Sequence, residues 1–267
     1  MTEFDLHPLG LGTWQNDVPE ECAESVETAL ELGYRNVDTA QAYGNEDAVG
    51  RGIAASSVPR EEVFLATKVD TANLSYDDVH ETTRESLDRL DTDYVDLLYV
   101  HWPTETYDAP ETLRAFQELY DEALIRHIGV SNFEPRHLDE ARDILDAPIY
   151  ANQVELHPYL QQEELRAYAD EHDHHVVAYS PLARTSVLDD EVLADIAEKH
   201  DASVPQIVLA WHLDLDIVTI PKATSAEHIR DNWGAYDVDV DEEDHERIAG
   251  LDRGQREVDF AGAPWNN

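Results

Sequence analysis

Lysine, cysteine and long apolar segments are all scarce in this chain. Only three of its 18 basic residues are lysines, namely Lys68, Lys199 and Lys222. Cys22 is the single cysteine, which excludes an internal disulfide framework, and its helical surroundings predict a buried structural thiol. The chain opens without an apolar signal region and has no apolar run long enough to span a membrane. We therefore expect a cytoplasmic protein.

Positive charge is scarce as well, because 18 basic residues stand against 59 acidic ones and give a formal net charge of −41. The acids are spread between apolar positions of regular period, as in "DVDVDEEDHE" (237–246), which excludes an acidic tail and argues against disorder. The hypothesis is adaptation to molar salt, where the Debye length falls to about 3 Å and self-repulsion is screened. Nucleic acid and anionic membranes are not expected partners at this charge.

Short apolar runs alternate with amphipathic stretches along the chain, which is typical of parallel βα units. Eight such units in a chain of this length predict one α/β domain, a (β/α)8 TIM barrel over residues 1–267. The predicted strands are 34–39, 63–68, 94–101, 125–131, 149–155, 175–180, 217–221 and 235–238. The predicted helices are 19–32, 46–55, 75–90, 111–123, 135–145, 161–172, 189–213 (as two helices) and 225–232.

A doubly wound dinucleotide-binding sheet is the alternative fold. The segment "GLGTWQ" (10–15) resembles a glycine-rich phosphate loop only in part, since it lacks the third glycine and does not run into a helix. The barrel is therefore preferred. The terminal "GAPWNN" (262–267) has no periodicity and is predicted to pack on the barrel surface as a tail.

Polar residues stand at the ends of the first three predicted strands, where barrel enzymes build their active sites. They are Asp38, Lys68 and His101, and the loop after the first strand adds Tyr43. A lysine that ends an apolar strand in a chain with three lysines is hard to explain as surface solvation. The alternative is a structural ion pair at the barrel mouth.

These four residues make chemical sense as a group. A tyrosine has a pKa near 10, and a neighbouring Lys68 ammonium is expected to lower the pKa of Tyr43 towards that of a useful acid. Asp38 would keep Lys68 charged and oriented. A neutral His101 would donate a hydrogen bond to a carbonyl oxygen and orient it beside the phenol. The residues predict a proton donor aimed at a polarised carbonyl.

The chain resembles the aldo-keto reductases over nearly its whole length. The matching segments are "GLGTW", "ALELGYRNVDTAQAYGNEDAVGRGI", "LATKV", "DLLYVHWP", "GVSNF", "NQVELHPY", "YSPLA" and "IPKATSAEHIRDN". They are specific as an ordered set. The resemblance implies a TIM barrel that binds NADP(H) without a Rossmann fold and reduces small aldehydes and ketones. It also implies a catalytic tetrad of Asp38, Tyr43, Lys68 and His101.

The resemblance also implies which residues contact the nicotinamide end of the cofactor. Ser131, Asn132 and Gln153 would hold the carboxamide, and Tyr179 would stack on the ring. Fixing the carboxamide decides which face of the ring meets the substrate.

The resemblance also implies residues that contact the nicotinamide ribose and the pyrophosphate of the cofactor. Gly12 and Thr13 would approach the nicotinamide ribose, while Ser180 and Leu182 would meet the pyrophosphate. All four come from the two matching segments "GLGTW" and "YSPLA".

The resemblance also implies an adenosine end of the cofactor site. Lys222 would meet the 2′-phosphate, Thr224 and Ser225 would open a helix whose N-terminus binds anions, and Asn232 would contact the adenine. His228 stands where the family usually has an arginine, and a histidine cannot make a permanent bidentate pair with phosphate. We expect NADP(H) because Lys222 is retained, with NAD(H) as the alternative.

The resemblance implies a small substrate pocket. Trp14 and Trp102 would supply apolar walls beside His101, and the loop after the third predicted strand, "PTETYDAP" (103–110), is short. This is similar to compact prokaryotic members that reduce small polar aldehydes, ketones and diketo-acids, such as the diketo-gluconate reductases. A monomer is expected from the resemblance.

Two other functions are open at this point. One is a barrel that binds the cofactor without catalysis and acts as a regulatory subunit, against which all four chemical positions are filled. The other is a metal-dependent hydrolase with His101, Glu155 and His157 as ligands. No tight ligand spacing supports a zinc site, so no metal is expected.

Overall fold

The computed structural model describes residues 6–266, in which eight parallel strands pair in chain order. The sheet closes on itself, since Gly10 N donates to Thr219 O at 2.9 Å and Gly12 N donates to Pro221 O at 3.1 Å. The predicted (β/α)8 barrel is confirmed. The strands are β1 (Leu11–Gly12), β2 (Asn36–Asp38), β3 (Phe64–Val69), β4 (Val95–Val100), β5 (Ile125–Ser131), β6 (Ile149–Glu155), β7 (His175–Tyr179) and β8 (Val218–Thr219).

The helices begin and end within about two residues of the predicted bounds, and the stretch 189–213 is divided into two helices as expected. Ser203 starts the second of them as a capping residue whose Oγ accepts from Gln206 N. One helix, α10, was not predicted. The helices are α1 (Pro19–Leu32), α2 (Glu46–Ala55), α3 (Tyr76–Leu90), α4 (Ala109–Asp121), α5 (Pro135–Ile144), α6 (Glu163–His172), α7 (Glu191–His200), α8 (Val204–Asp214), α9 (Ala226–Trp233) and α10 (Glu242–Ala249).

The prediction of a strand at 235–238 is wrong. Gly234–Asp237 forms a 3₁₀ turn directly after α9, and the Tyr236 ring packs on Trp233 with centroids 5.0 Å apart. The sheet position beside β8 is taken instead by β1, which was not predicted because two residues carry no alternation. Gly12 suits this position, because a Cβ there would lie 2.6 Å from Ile220 O across the closing seam.

The core has two parts, one between strands and helices and one inside the barrel. Every residue of β3 and β4 is buried, as expected for parallel strands covered on both sides. Inside the barrel, Phe64, Leu97 and Tyr99 pack together. Cys22 is fully buried in the outer core, as predicted, and burial raises the pKa of its thiol to about 11. No helix within residues 6–266 is long and apolar enough to cross a membrane.

Candidate active site

A buried ion pair lies where β2 and β3 end. The side chain of Lys68 is fully buried, and its Nζ donates to Asp38 Oδ1, to Thr39 O at 2.8 Å and to Tyr43 OH at 3.3 Å. Asp38 Oδ2 accepts from Gln153 Nε2 at 2.8 Å. Burying two charges is expensive unless each finds the other and their remaining hydrogen-bonding positions are filled. Both conditions are met here.

Tyr43 is brought to Lys68 by a tight turn after β2. Gln41–Tyr43 form one 3₁₀ turn that ends at Gly44, whose φ of 64° lies in the left-handed region that favours glycine. Gln41 anchors this turn, since its Oε1 accepts from Asp70 N at 3.0 Å. The Lys68 ammonium lies 4.9 Å from the centre of the Tyr43 ring. The phenol is thereby held at the barrel mouth by backbone geometry.

The charge state of this pair differs in one respect from the expectation. Burial raises the pKa of Tyr43, and although the Lys68 charge acts to lower it, the pKa remains above its ordinary value. The expectation of a net lowering is therefore wrong, while the direction of the Lys68 effect is right. Burial acts to lower the pKa of Lys68, but Asp38 and Tyr43 raise it above its usual range. At neutral pH the phenol is protonated beside a charged ammonium.

His101 follows β4 and lies next to the phenol. Its ring meets the Tyr43 ring edge-on with centroids 5.9 Å apart. Burial and then the Lys68 charge lower the pKa of His101 to about 3. The imidazole is therefore neutral at physiological pH, as the sequence argument requires, and can donate one hydrogen bond.

A cavity of about 560 Å³ opens over these groups, a volume typical of small-ligand sites. Most of the predicted residues line it. They are Gly12, Trp14, Asp38, Tyr43, His101, Trp102, Ser131, Asn132, Gln153, Tyr179, Ser180, Leu182 and Lys222.

A hydrogen-bonded group fixes one wall of the cavity. Asn132 Nδ2 donates to Ser131 Oγ at 2.9 Å, and Tyr179 OH donates to Asn132 Oδ1 at 2.9 Å. Ser131 Oγ in turn donates to the carbonyl oxygen of Gln153 at 2.8 Å. The Tyr179 ring is thus held in one orientation on the wall, with amide and hydroxyl groups beside it.

The other predicted positions lie outside the cavity lining. Lys68 does not line it, and Thr13 commits its Oγ1 to Asp38 O at 3.0 Å. The remaining residues lie in α9 or just before it, where the Ser225 Oγ accepts from His228 N and caps the helix. His228 is exposed. The predicted residues in this outer region are Thr224, Ser225, His228 and Asn232.

Several lining residues were not predicted from the sequence, and Arg184 and Val258 are the most informative of them. The Arg184 guanidinium lies 4.8 Å from the centre of the Trp14 ring. Arg184 directly follows "YSPLA". Two signals could have indicated it, namely its position next to that matching segment and the scarcity of cations in the chain. Val258 comes from the C-terminal region, where no local pattern indicates a contact with the cavity.

The three residues weighed as metal ligands do not form one group. His157 Nε2 and Glu155 Oε1 are 2.9 Å apart and fully buried, whereas His101 faces the cavity. Glu155 also accepts backbone hydrogen bonds from Glu257 and Val258. Within residues 6–266 no three or more histidine, cysteine or acidic side chains are grouped so as to hold a metal ion.

Comparison with known proteins agrees with this geometry. The profile of the Aldo/keto reductase family matches residues 8–253. Glyoxal reductase of Bacillus subtilis (strain 168) is 41% identical over 248 residues, which are 93% of this chain and 90% of that protein. Methylglyoxal reductase DkgB of Escherichia coli O157:H7 is 43% identical over 259 residues, covering 95% of this chain and 96% of that protein.

A solved structure is also similar along almost the whole chain. It is the aldo-keto reductase MGS-M4 from a Medee basin deep-sea metagenome library, which superposes with a TM-score of 0.93 at 38% identity. The match covers 98% of this chain and 96% of that one. The chain belongs to the aldo/keto reductase family, whose members are oxidoreductases that use nicotinamide cofactors.

Proposed function

We propose that this protein, acting as a single-domain monomer over residues 1–267, uses NADPH to reduce small aldehydes and ketones to alcohols. One observation carries the proposal: a buried Lys68 ammonium contacts both Asp38 and the Tyr43 hydroxyl beside a neutral His101. Two relatives are named for glyoxal and methylglyoxal, which supports small dicarbonyl compounds as the substrate class.

Tyr43 is the proton donor in this proposal. Its raised pKa keeps the phenol protonated until the substrate oxygen becomes basic. When the proton leaves, the phenolate forms 3.3 Å from the Lys68 ammonium, which stabilises the new negative charge. Asp38 holds that ammonium in place and is itself held by Gln153. Lys68 therefore acts on the charge that develops during reaction.

His101 orients the substrate. A carbonyl oxygen that accepts from the neutral imidazole would lie beside Tyr43, whose ring centroid is 5.9 Å from that of His101, and could also accept from the phenol. Because both groups donate to one oxygen, they also polarise the carbonyl. Trp14 and Trp102 line the same cavity and supply apolar surface for the rest of a small substrate.

The residues present fit a nicotinamide cofactor. The cavity runs from Tyr43 to Lys222, and its wall presents the Asn132 amide and the fixed ring of Tyr179. Ser131, Asn132 and Gln153 would hold the carboxamide, and the Tyr179 ring would stack on the nicotinamide. When bound, the cofactor supplies the hydride that the side chains themselves lack.

Lys222 supports NADPH over NADH. Of the three lysines, Lys68 is paired with Asp38, and Lys199 contacts Asp241 and Asp244. The Lys222 side chain is exposed at the cavity edge and makes no hydrogen bond or ion pair with any residue in the range 6–266. An uncommitted cation in a chain of charge −41 fits a phosphate ligand.

The function is tested with a panel of carbonyl compounds, followed by nicotinamide absorbance in molar salt with NADPH and with NADH. We expect turnover of methylglyoxal and a higher kcat/KM with NADPH. Absence of turnover across the panel would refute the reductase proposal, and a preference for NADH would refute the cofactor assignment alone.

We also propose that the protein is adapted to the salt-rich cytoplasm of a halophile. The excess of 59 acidic over 18 basic residues supports this, because screening at molar salt removes most of the repulsion that such a charge creates. Dialysis to about 0.1 M salt, where the Debye length is about 10 Å, is expected to lower the melting temperature and activity together. Unchanged melting and activity after dialysis would rule the adaptation out.

A further inference from the structure

Glu155, the last residue of β6, is a fully buried acid that the proposed chemistry does not use. Its Oε1 lies 2.9 Å from His157 Nε2 and accepts from Glu257 N at 2.5 Å. Its Oε2 accepts from Val258 N at 3.0 Å. A buried carboxylate is tolerated only when such donors satisfy it. Two of these three donors come from a chain segment about 100 residues further on.

We propose that Glu155 is a positioning residue that sets the substrate range by holding the C-terminal segment against the cavity. This rests on the proposed reductase function. The C-terminal segment comprises residues 255–266. Glu155 touches no reacting group and acts through that segment.

The C-terminal segment forms part of the cavity wall and packs against Trp102 at its edge. Val258 lines the cavity. Beyond it, the rings of Phe260 and Trp265 pack against Trp102 with centroids 5.2 and 5.7 Å away. The position of these side chains therefore decides how large a substrate fits beside Trp102.

The C-terminal segment has little regular structure to fix it. Its regular part is the short turn Pro264–Asn266, so contacts with the barrel must hold the rest. Gln255 N donates to Tyr159 O at 3.0 Å, but this contact precedes the part that reaches the cavity. Glu155 contacts the two residues at which the chain turns into the cavity wall, and hydrogen bonds to a charged acceptor are the stronger kind.

A second contact joins this wall to the loop after β7. Ser186 Oγ donates to Glu257 Oε1 at 3.1 Å, and Ser186 follows Arg184 and Thr185, which also line the cavity. The anchored segment is thus connected to the loop expected at the cofactor pyrophosphate.

The test replaces Glu155 by Gln, which keeps the size but places an amide donor against two backbone donors. Glu155→Asp keeps the charge on a shorter side chain, and it stands in if the Gln variant does not fold. Glu163→Gln, at an exposed acid that begins α6, is the control for charge removal. Folding is checked by thermal melting in molar salt.

The first measurement is hydrogen–deuterium exchange of the Glu257 and Val258 amides, which does not depend on activity. We expect exchange at these amides to be on the order of tenfold faster or more in Glu155→Gln, less so in Glu155→Asp, and unchanged in Glu163→Gln. Exchange unchanged from the wild type in both Glu155 variants would overturn the anchoring claim, whether or not the protein reduces carbonyls.

The second measurement compares phenylglyoxal with methylglyoxal. Loss of the anchor is expected to change KM for the bulky substrate by about tenfold, the scale on which apolar pockets discriminate, with KM for methylglyoxal and the Kd of NADPH within about twofold. Equal losses with both substrates would show a merely structural role and overturn the specificity claim. If the wild type reduces neither, the proposed function fails, and the exchange result still decides the anchor.

Discussion

The two ends of the cavity are built in different ways. At the floor lies Asp38, whose buried carboxylate accepts from Gln153 and from Lys68, a buried residue outside the cavity lining. At the rim after β8, Lys222 and His228 are exposed, and the Lys222 side chain has no partner in residues 6–266.

This difference in burial separates the residues proposed for catalysis from the residue proposed to select the cofactor. A buried pair such as Lys68 and Asp38 cannot lose one member without leaving an uncompensated charge. An exposed residue such as Lys222 can change at little cost to the fold, because its side chain has no partner among residues 6–266. We therefore expect the floor to be intolerant of substitution, and we propose that the rim determines which cofactor is bound.

Replacing Lys68 by Met is the most severe way to test the floor. The substitution leaves Asp38 buried without its cation, and we expect a loss of about 3–5 kcal/mol in the free energy of unfolding. Reductase turnover should fall with it. The control is Arg84→Met, which removes an exposed cation from the equally exposed Glu122 and should cost about 1 kcal/mol or less. Denaturant unfolding in molar salt measures both, and equal costs would contradict the contrast between floor and surface.

The second prediction concerns His101 at the floor of the cavity and the pH dependence of the free energy of unfolding. Its pKa is about 3 in the folded protein against an ordinary value of 6.5, so the unfolded chain binds the proton first as pH falls. Stability contributed by the neutral ring is present above pH 6.5 and is lost between pH 6.5 and about 3, at about 1.4 kcal/mol per pH unit. In His101→Asn the free energy of unfolding should fall less steeply from pH 6.5 to 5. Parallel slopes for the two proteins would contradict the depressed pKa.

Lys222 tests the rim. Lys222→Ala is expected to raise KM for NADPH about tenfold, since one exposed charge-assisted contact is lost, while KM for NADH changes less than about twofold. The free energy of unfolding should stay within about 0.5 kcal/mol of the wild type. Initial-rate kinetics with both cofactors measure this. An equal rise for NADH would mean that Lys222 does not recognise the 2′-phosphate.

Much of the fold could be predicted because its elements carry local signals. The helix bounds follow from apolar periodicity and capping residues such as Ser203, and the buried strands from short apolar runs. β1 could not be predicted, because Leu11–Gly12 is held by pairing with β2 and by closure against Pro221. The short apolar run at 235–238 was wrongly predicted as a strand, because the sheet position beside β8 is occupied by β1.

The site residues likewise divide into those that local sequence signals predict and those that only the structure reveals. Asp38, Lys68 and His101 could be found because strand ends in a barrel converge on one face. Val258 could not, because Glu155 brings it to the cavity from about 100 residues away. The net direction of the Tyr43 pKa also needed the structure, since it depends on how far burial outweighs the Lys68 charge.

The most direct test of the account is Tyr43→Phe. The variant keeps the ring and the cavity but removes the hydroxyl 3.3 Å from Lys68. If Tyr43 donates the proton, kcat for methylglyoxal should fall by about 10²–10⁴-fold, the usual contribution of a general acid, while the Kd of NADPH stays unchanged. A kcat within about twofold of the wild type, with NADPH still bound, would contradict the assignment of Tyr43 as the proton donor.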